Sequence, residues 1–336
     1  NLEKGRGWVD LREANVLFRP LPFADIKVGR QILTWGTGDL VFINDLFPKD
    51  FQSFFSGRDD EYLKSPSDAV RVSLFHDAAN LDIVYTPRFD ADRFIDGSRL
   101  SFYSPALGRI VGRDAIVDPL FPNTWFTDDE IALRLYRNVQ AFEVAAYFYN
   151  GFWKNPQGQT PDGTIIFPNL RVLGASLRGP LYGGIVNLEF GHYDSTEDRQ
   201  GSNPLIPNGQ WRYLIGYERE IMPEFTIAVQ YYDEQTQDFD AFQKALPAGL
   251  TAGDRTRHVL TLRLTKLLLH QTLTLSAFNF WSPNESDGHL RLRASYKATD
   301  TWLLEIGSNV FYGDADRFFG QFKDNTNLFL ALRQSF

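Results

Sequence analysis

The chain closes on N-T-N-L-F-L-A-L-R-Q-S-F, Asn325 to Phe336, and this stretch decides the fold class. Leu328, Leu330, Leu332 and Phe336 share one parity; Asn327, Phe329, Ala331 and Arg333 share the other. A period of two marks a strand with one apolar face. Such a strand at a chain end is an open edge unless something pairs with it. A soluble β-sandwich offers one cover, by taking the strand into a sheet. A closed barrel offers another, because its last strand pairs with its first and no edge remains.

Working back from this stretch, the same alternation recurs in pairs. Strands are expected at residues 8–19, 25–35, 69–76, 80–88, 129–137, 141–149, 169–178 and 184–192. They continue at 210–219, 224–233, 255–266, 271–281, 288–297 and 300–312, and the irregular region 89–127 has room for one short strand at 98–103. The connections alternate in length. Short ones lie near 20–24, 77–79, 138–140, 179–183, 220–223, 267–270 and 298–299. Long ones lie near 36–68, 89–127, 151–168, 193–209, 234–254, 282–287 and 313–324. Short turns on one rim and long loops on the other are the habit of bacterial membrane barrels, whereas a sandwich mixes the two. The expectation is therefore all-β: a transmembrane antiparallel β-barrel forming a single domain over 1–336. About 15 strands are visible; an even number, about 16, requires one more strand ahead of residue 1.

Composition agrees. No run of about 18 apolar residues is present, so no transmembrane helix is expected. The mean hydropathy of −0.29 does not exclude a barrel, whose alternating strands give a weak hydropathy signal. Aromatic residues reach 15%, which girdles at two membrane interfaces would use. A net charge of −8 argues against a nucleic-acid partner. Cysteine is absent, which fits an oxidising compartment.

If the apolar parity faces lipid, the polar parity faces the lumen. That parity collects Arg71, Arg134, Arg178, Arg212, Arg257, Arg263, Arg291, Arg293 and Arg333, together with Glu13, Asp82, Glu130, Glu143, Glu189, Glu218 and Glu305. A dry core could hold so many charges only if each were paired, but a water-filled lumen can hold them. About 16 strands enclose a channel of that kind. The last strands are the most basic. Arg257, Arg263, Arg291, Arg293 and Arg333 are expected to form one wall favouring anions, with Glu130, Glu143, Glu189 and Glu218 opposite. The alternative is that these arginines are structural, paired with lumen acids or with an inserted loop.

The most distinctive stretch is Gly29 to Phe51, G-R-Q-I-L-T-W-G-T-G-D-L-V-F-I-N-D-L-F-P-K-D-F. Gly36 and Gly38 allow sharp turns. Asn44, Asp45, Pro48 and Asp50 favour tight turns and caps. Leu40, Val41, Phe42, Ile43, Leu46 and Phe47 are too apolar for a loop in water, so residues 36–68 are expected to fold inward as a constriction or plug. Trp35, Gly36, Asn44, Asp45, Pro48 and Asp50 are its candidate residues.

This stretch resembles one in proteobacterial porin-like outer-membrane barrels, in which a G-R-Q strand leads to W-G and then to an N-D and P-x-D turn. The matching positions are Gly29–Gln31, Trp35–Gly36, Asn44–Asp45 and Pro48–Asp50. The terminal strand is similar to the closing strand of bacterial outer-membrane proteins, although Gln334 stands where those carry an apolar or aromatic residue. Alginate-exporter-like barrels share the G-R-Q strand and the arginine-rich lumen, but they are longer and lack the W-G segment. The resemblance implies a bacterial outer-membrane channel for passive diffusion of small polar or anionic solutes, embedded in outer-membrane lipid. The other reading is a non-conducting, loop-plugged scaffold for a periplasmic or surface protein.

No catalytic, cofactor or metal motif stands out. His76, His192, His258, His270 and His289 are scattered, and no H-x-x-x-H, P-loop or dinucleotide fingerprint occurs. Asp233–Glu234 and His192–Asp194 are the only pieces a surface protease could use. Asp59–Asp60–Glu61 offers oxygen ligands for Ca²⁺, though a solvated loop is their ordinary use.

Overall fold

The computed structural model describes residues 10–247 and 253–335. Its main element is one antiparallel sheet of fifteen strands, paired strictly in chain order. These are β1 (Ala14–Leu21), β2 (Ala24–Ile32), β3 (Pro66–Leu74), β4 (Asn80–Thr86), β5 (Glu130–Val139), β6 (Phe142–Phe152), β7 (Asn169–Leu181) and β8 (Gly184–Ser195). β9 (Gln210–Met222), β10 (Phe225–Thr236), β11 (Thr256–Leu268), β12 (Leu273–Ser282), β13 (Asp287–Lys297), β14 (Trp302–Tyr312) and β15 (Asn327–Gln334) complete it. Each strand hydrogen-bonds to the one before it, which satisfies backbone groups that a bilayer would leave unmet. Among the described residues, no helix is long and apolar enough to cross a membrane.

The alternation sorts side chains cleanly. Leu262, Leu292, Ile306 and Leu330 point outward and are 40%, 42%, 58% and 80% exposed. Their chain neighbours Arg263, Arg293, Glu305 and Phe329 point inward. Register fixes this: Leu262 pairs with Val229 and Arg263 with Ala228, so a one-residue slip would put guanidiniums in the apolar belt. On β2, Arg30 shares a parity with the apolar Ile26 and Val28. Arg30 does point outward, at the loop rim, where Asp68 of the adjoining strand takes it in an ion pair of 2.6 Å.

Several boundaries differ from the sequence expectation. The first strand begins at Ala14 rather than residue 8; Trp8 and Val9 lie outside the described residues, as does Phe336. Asp10 instead receives Arg93 at 3.1 Å. β2 stops at Ile32 rather than Trp35, because Leu33 turns inward to 3% exposure and Gly36 takes a positive φ of 80°. The connection between β12 and β13, expected among the long ones, is only residues 283–286. The short strand expected near 98–103 is Phe102–Ser104, which pairs with Arg109–Val111 in a hairpin outside the main sheet.

Candidate functional site

Residues 33–65 leave β2 and run along the concave face of the sheet, where they meet strands from β4 round to β15. The segment is apolar enough to demand this. Leu33, Ile43 and Phe47 are buried among the inward side chains Val84, Ala132, Leu170, Val172, Leu214 and Val259. Trp35 packs edge-on against Phe47, ring centroids 4.9 Å apart, and leans on Tyr147. Removing such side chains from water drives the segment inward at about 25 cal/mol per Å² of apolar surface.

Polar contacts then fix its position. Glu189 of β8, 4% exposed, is the centre of the first set. One carboxylate oxygen accepts the Thr37 N–H, the Gly38 N–H at 2.7 Å and the Thr37 hydroxyl at 3.0 Å. The other accepts the Asn44 N–H at 3.2 Å and Asn44 Nδ2 at 2.9 Å. Five donors neutralise by hydrogen bonding a charge that would otherwise be costly to bury. Glycines make the approach possible. A Cβ on Gly174 would fall 1.7 Å from Asn44 Oδ1, and one on Gly191 would fall 2.6 Å from Ile43 Cγ2. On β10, Gln230 accepts from Asp39 N–H and donates to Asp39 O.

The second set uses opposite chemistry. Asp50 caps the short helix Phe51–Phe55 by accepting the Ser53 N–H, and the helix presents its carbonyls to the wall. Arg291 donates to Phe54 O at 2.7 Å and to Arg58 O at 2.5 Å. Asn309 and Asn327 both donate to Phe55 O. Arg263 is bidentate on Asp39, Arg293 reaches Asp59 at 3.0 Å, and Arg333 reaches Asp59 at 3.1 Å. Burial would raise the Asp59 carboxyl, but the Glu61 N–H, Arg293 and Arg333 outweigh it and hold it below the usual carboxylate range.

Between the two sets lies Lys49, 3% exposed. Its ammonium meets Asp45 at 3.0 Å and Phe47 O at 2.6 Å, and its N–H donates to Asp92 at 2.7 Å. Asp45 also accepts the Thr34 hydroxyl, and Pro48 O accepts the Ser65 N–H. Burial pushes both Asp90 and Asp92, in the 87–129 connection, up to about 6.

The remaining candidates are distributed as follows. Arg71 and Arg134 share Asp82, at 3.2 and 3.9 Å, and Arg134 also binds Glu143 at 2.6 Å. Glu130 accepts Lys154 at 2.6 Å and the Tyr149 hydroxyl at 2.5 Å. Arg212 faces Glu234 at 3.3 Å, Arg257 faces Glu285 at 3.2 Å, and Glu305 approaches Arg293 at 3.1 Å. Arg178 and Glu218 are solvent-exposed near the short-turn rim and join no cluster among the described residues. The five arginines of the last strands thus meet five carboxylates, Asp39, Asp59, Asp60, Glu285 and Glu305. Asp59 and Asp60 were visible only as an acidic run. The protease pieces do not assemble: His258 contacts Asp233 at 2.9 Å, while Glu234 turns inward to Arg212.

Toward the loop rim the lumen opens into a cavity of about 850 Å³. Its floor is the 33–65 segment, and its sides come from the 87–129, 153–168 and 313–326 connections and the ends of β8 to β12.

No protein-family model and no curated protein matches the chain. Solved structures do. OccK5 of Pseudomonas aeruginosa aligns at 11% identity over 88% of this chain and 74% of its own, with a TM-score of 0.50. A triple mutant of Rhodopseudomonas blastica porin aligns at 10% identity over 96% and 88%, with a TM-score of 0.46. The KdgM porin in complex with disordered oligogalacturonate aligns at 11% over 62% and 93%, with a TM-score of 0.29. The OccK5 alignment, the unbroken fifteen-strand order and the outward apolar belt agree on one architecture: this chain has the fold of a bacterial outer-membrane β-barrel of the porin type.

Proposed function

We propose that the protein is an outer-membrane channel whose lumen is held narrow by residues 33–65, and that small polar solutes pass by diffusion when this segment yields. The observation that carries the reading is the inner face itself. A sheet of this many strands encloses more than a packed core, and charges line it at every level. Such a wall serves a wet passage, because a scaffold filled by its own loop could use apolar residues at less cost. The even match of five arginines by five carboxylates argues against a bare positive field, so uncharged or zwitterionic polar solutes fit better than simple anions. The long connections face outward and the short turns face the periplasm. Cysteines introduced at Asn203 and Pro247 should therefore label in intact cells, and ones at Pro223 and Ala298 should not.

Single-channel recording in planar bilayers tests the reading. The expected result is low conductance with brief openings and weak selectivity between Na⁺ and Cl⁻. Complete silence across many reconstitutions would favour the plugged scaffold, which the buried packing of Ile43 and Phe47 independently suits.

A further inference from the structure

The outer cavity has features that the passage of small polar solutes does not need. Phe42 and Phe51 rise from its floor, Phe94 and Phe102 line its side, and Phe318 covers one edge. All five keep part of their rings accessible, and Phe318 is 48% exposed. A wet mouth lined this way holds apolar surface in water, a cost that proteins accept mainly at binding sites. At about 850 Å³ the space is of ligand size.

The buried charges on its walls face one another. Arg212 faces Glu234, Arg257 faces Glu285 and lies over the Phe318 ring at 3.8 Å, Lys49 faces Asp45, and Lys154 faces Glu130. Asp316 and Arg317 at the rim are more exposed and lie 3.8 Å apart. An ionic ligand seated against the buried walls would have to break one of these pairs. Two neutral polar groups at the mouth, the Tyr103 hydroxyl and the Gln157 amide, make no hydrogen bond to another described residue and can serve a ligand.

We infer that this cavity is a binding site for an uncharged aromatic small molecule with a neutral polar substituent, such as a hydroxyl or carboxamide. The rings of Phe42, Phe51 and Phe318 supply stacking faces, and Tyr103 and Gln157 supply orientation. As the entry point for transported solutes the site rests on the channel reading, but its occupancy does not.

Saturation-transfer NMR on the full chain in lipid nanodiscs separates the two. The probes are 4-hydroxybenzamide, its anionic counterpart 4-hydroxybenzoate, and glucose. The expected order is 4-hydroxybenzamide at least tenfold tighter than the other two. Phe42→Ala with Phe318→Ala should weaken it by at least tenfold, with the strand signature in circular dichroism unchanged. If that variant fails to fold, Pro105→Cys on the cavity rim, carrying a spin label, should still broaden the bound benzamide with every proposed contact residue intact. Equal binding of all three probes, tighter binding of 4-hydroxybenzoate, or a benzamide signal untouched by the label overturns the inference. Binding without conductance would sink the channel reading and leave this site standing; conductance without binding would do the reverse.

Discussion

The 33–65 segment is fastened at two places by opposite means. At Thr37–Asn44 the wall contributes one buried carboxylate, Glu189, and the segment contributes the donors. At Phe54–Asp60 the wall contributes guanidiniums and amides, and the segment contributes carbonyls and carboxylates. The first anchor depends on shape: it works only because Gly174 and Gly191 let the chain come close. The second depends on summed charge, spread over arginines that stay protonated at any working pH. A shape-dependent anchor fails abruptly when one atom is wrong. A charge-dependent anchor weakens gradually and responds to salt.

Glu189→Ala should have the largest effect. It leaves the Thr37, Gly38 and Asn44 donors without their acceptor in a buried place, at about 1–3 kcal/mol for each donor left unsatisfied. Hydrogen exchange at those amides should accelerate while the strand amides stay protected; unchanged exchange would show that the anchor is not where we place it. Gly174→Ala comes next. Overpacking against Asn44 should cost about 1–3 kcal/mol, read as a lower melting temperature of the segment in the same exchange experiment. The charged anchor is weaker per residue. Arg333→Gln removes a partner of Asp59 that is 38% exposed, so about 1 kcal/mol or less is expected. Raising salt from 0.05 to 0.5 M should reproduce much of that loss in the wild type and leave the Glu189 contacts untouched.

The effect of pH differs in sign between regions. Asp92 has its pKa raised to about 6, so its contribution to stability is complete below the unfolded value near 3.8 and is lost as pH rises through about 6. Asp59 is lowered, so its contribution is present above the unfolded value and is lost as pH falls through its folded pKa. The segment should therefore be held best near pH 4–5. Asp92→Asn should flatten the loss between about pH 4 and 7; a segment held equally at pH 4.5 and 7.5 would contradict these assignments.

The frame was readable because a half-buried strand writes its facing into every second residue. Leu328, Leu330 and Leu332 alone show the parity of β15. Boundaries were less legible where Gly36 and Leu33 let the tertiary fold cut β2 short. The inward arginines were visible by parity, as were Glu143 and Glu305, which meet Arg134 and Arg293, but the partners on the inserted segment were not. Asp39, Asp59 and Asp60 sit far along the chain in a segment without alternation, and periodicity says nothing about which wall such a segment meets. Nor could a sequence show that Gly174 and Gly191 stand opposite Asn44 and Ile43. Parity would have singled out Gln230 and Asn309 as inward amides had uncharged polar residues been collected with the charged ones.

The account turns on residues 33–65 controlling the passage, and the most direct measurement is a reversible tether. The chain has no cysteine, so Asn44→Cys with Gly174→Cys introduces a single pair. A Cβ built on Gly174 lies 2.9 Å from Asn44 Cγ, close enough for bridging with a small adjustment. Conductance is recorded in planar bilayers with the pair oxidised and then reduced in the same membrane. The account predicts near silence when oxidised, and frequent openings once reduction frees a segment that has also lost the Asn44 donor to Glu189. Equal conductance in the two states would contradict it.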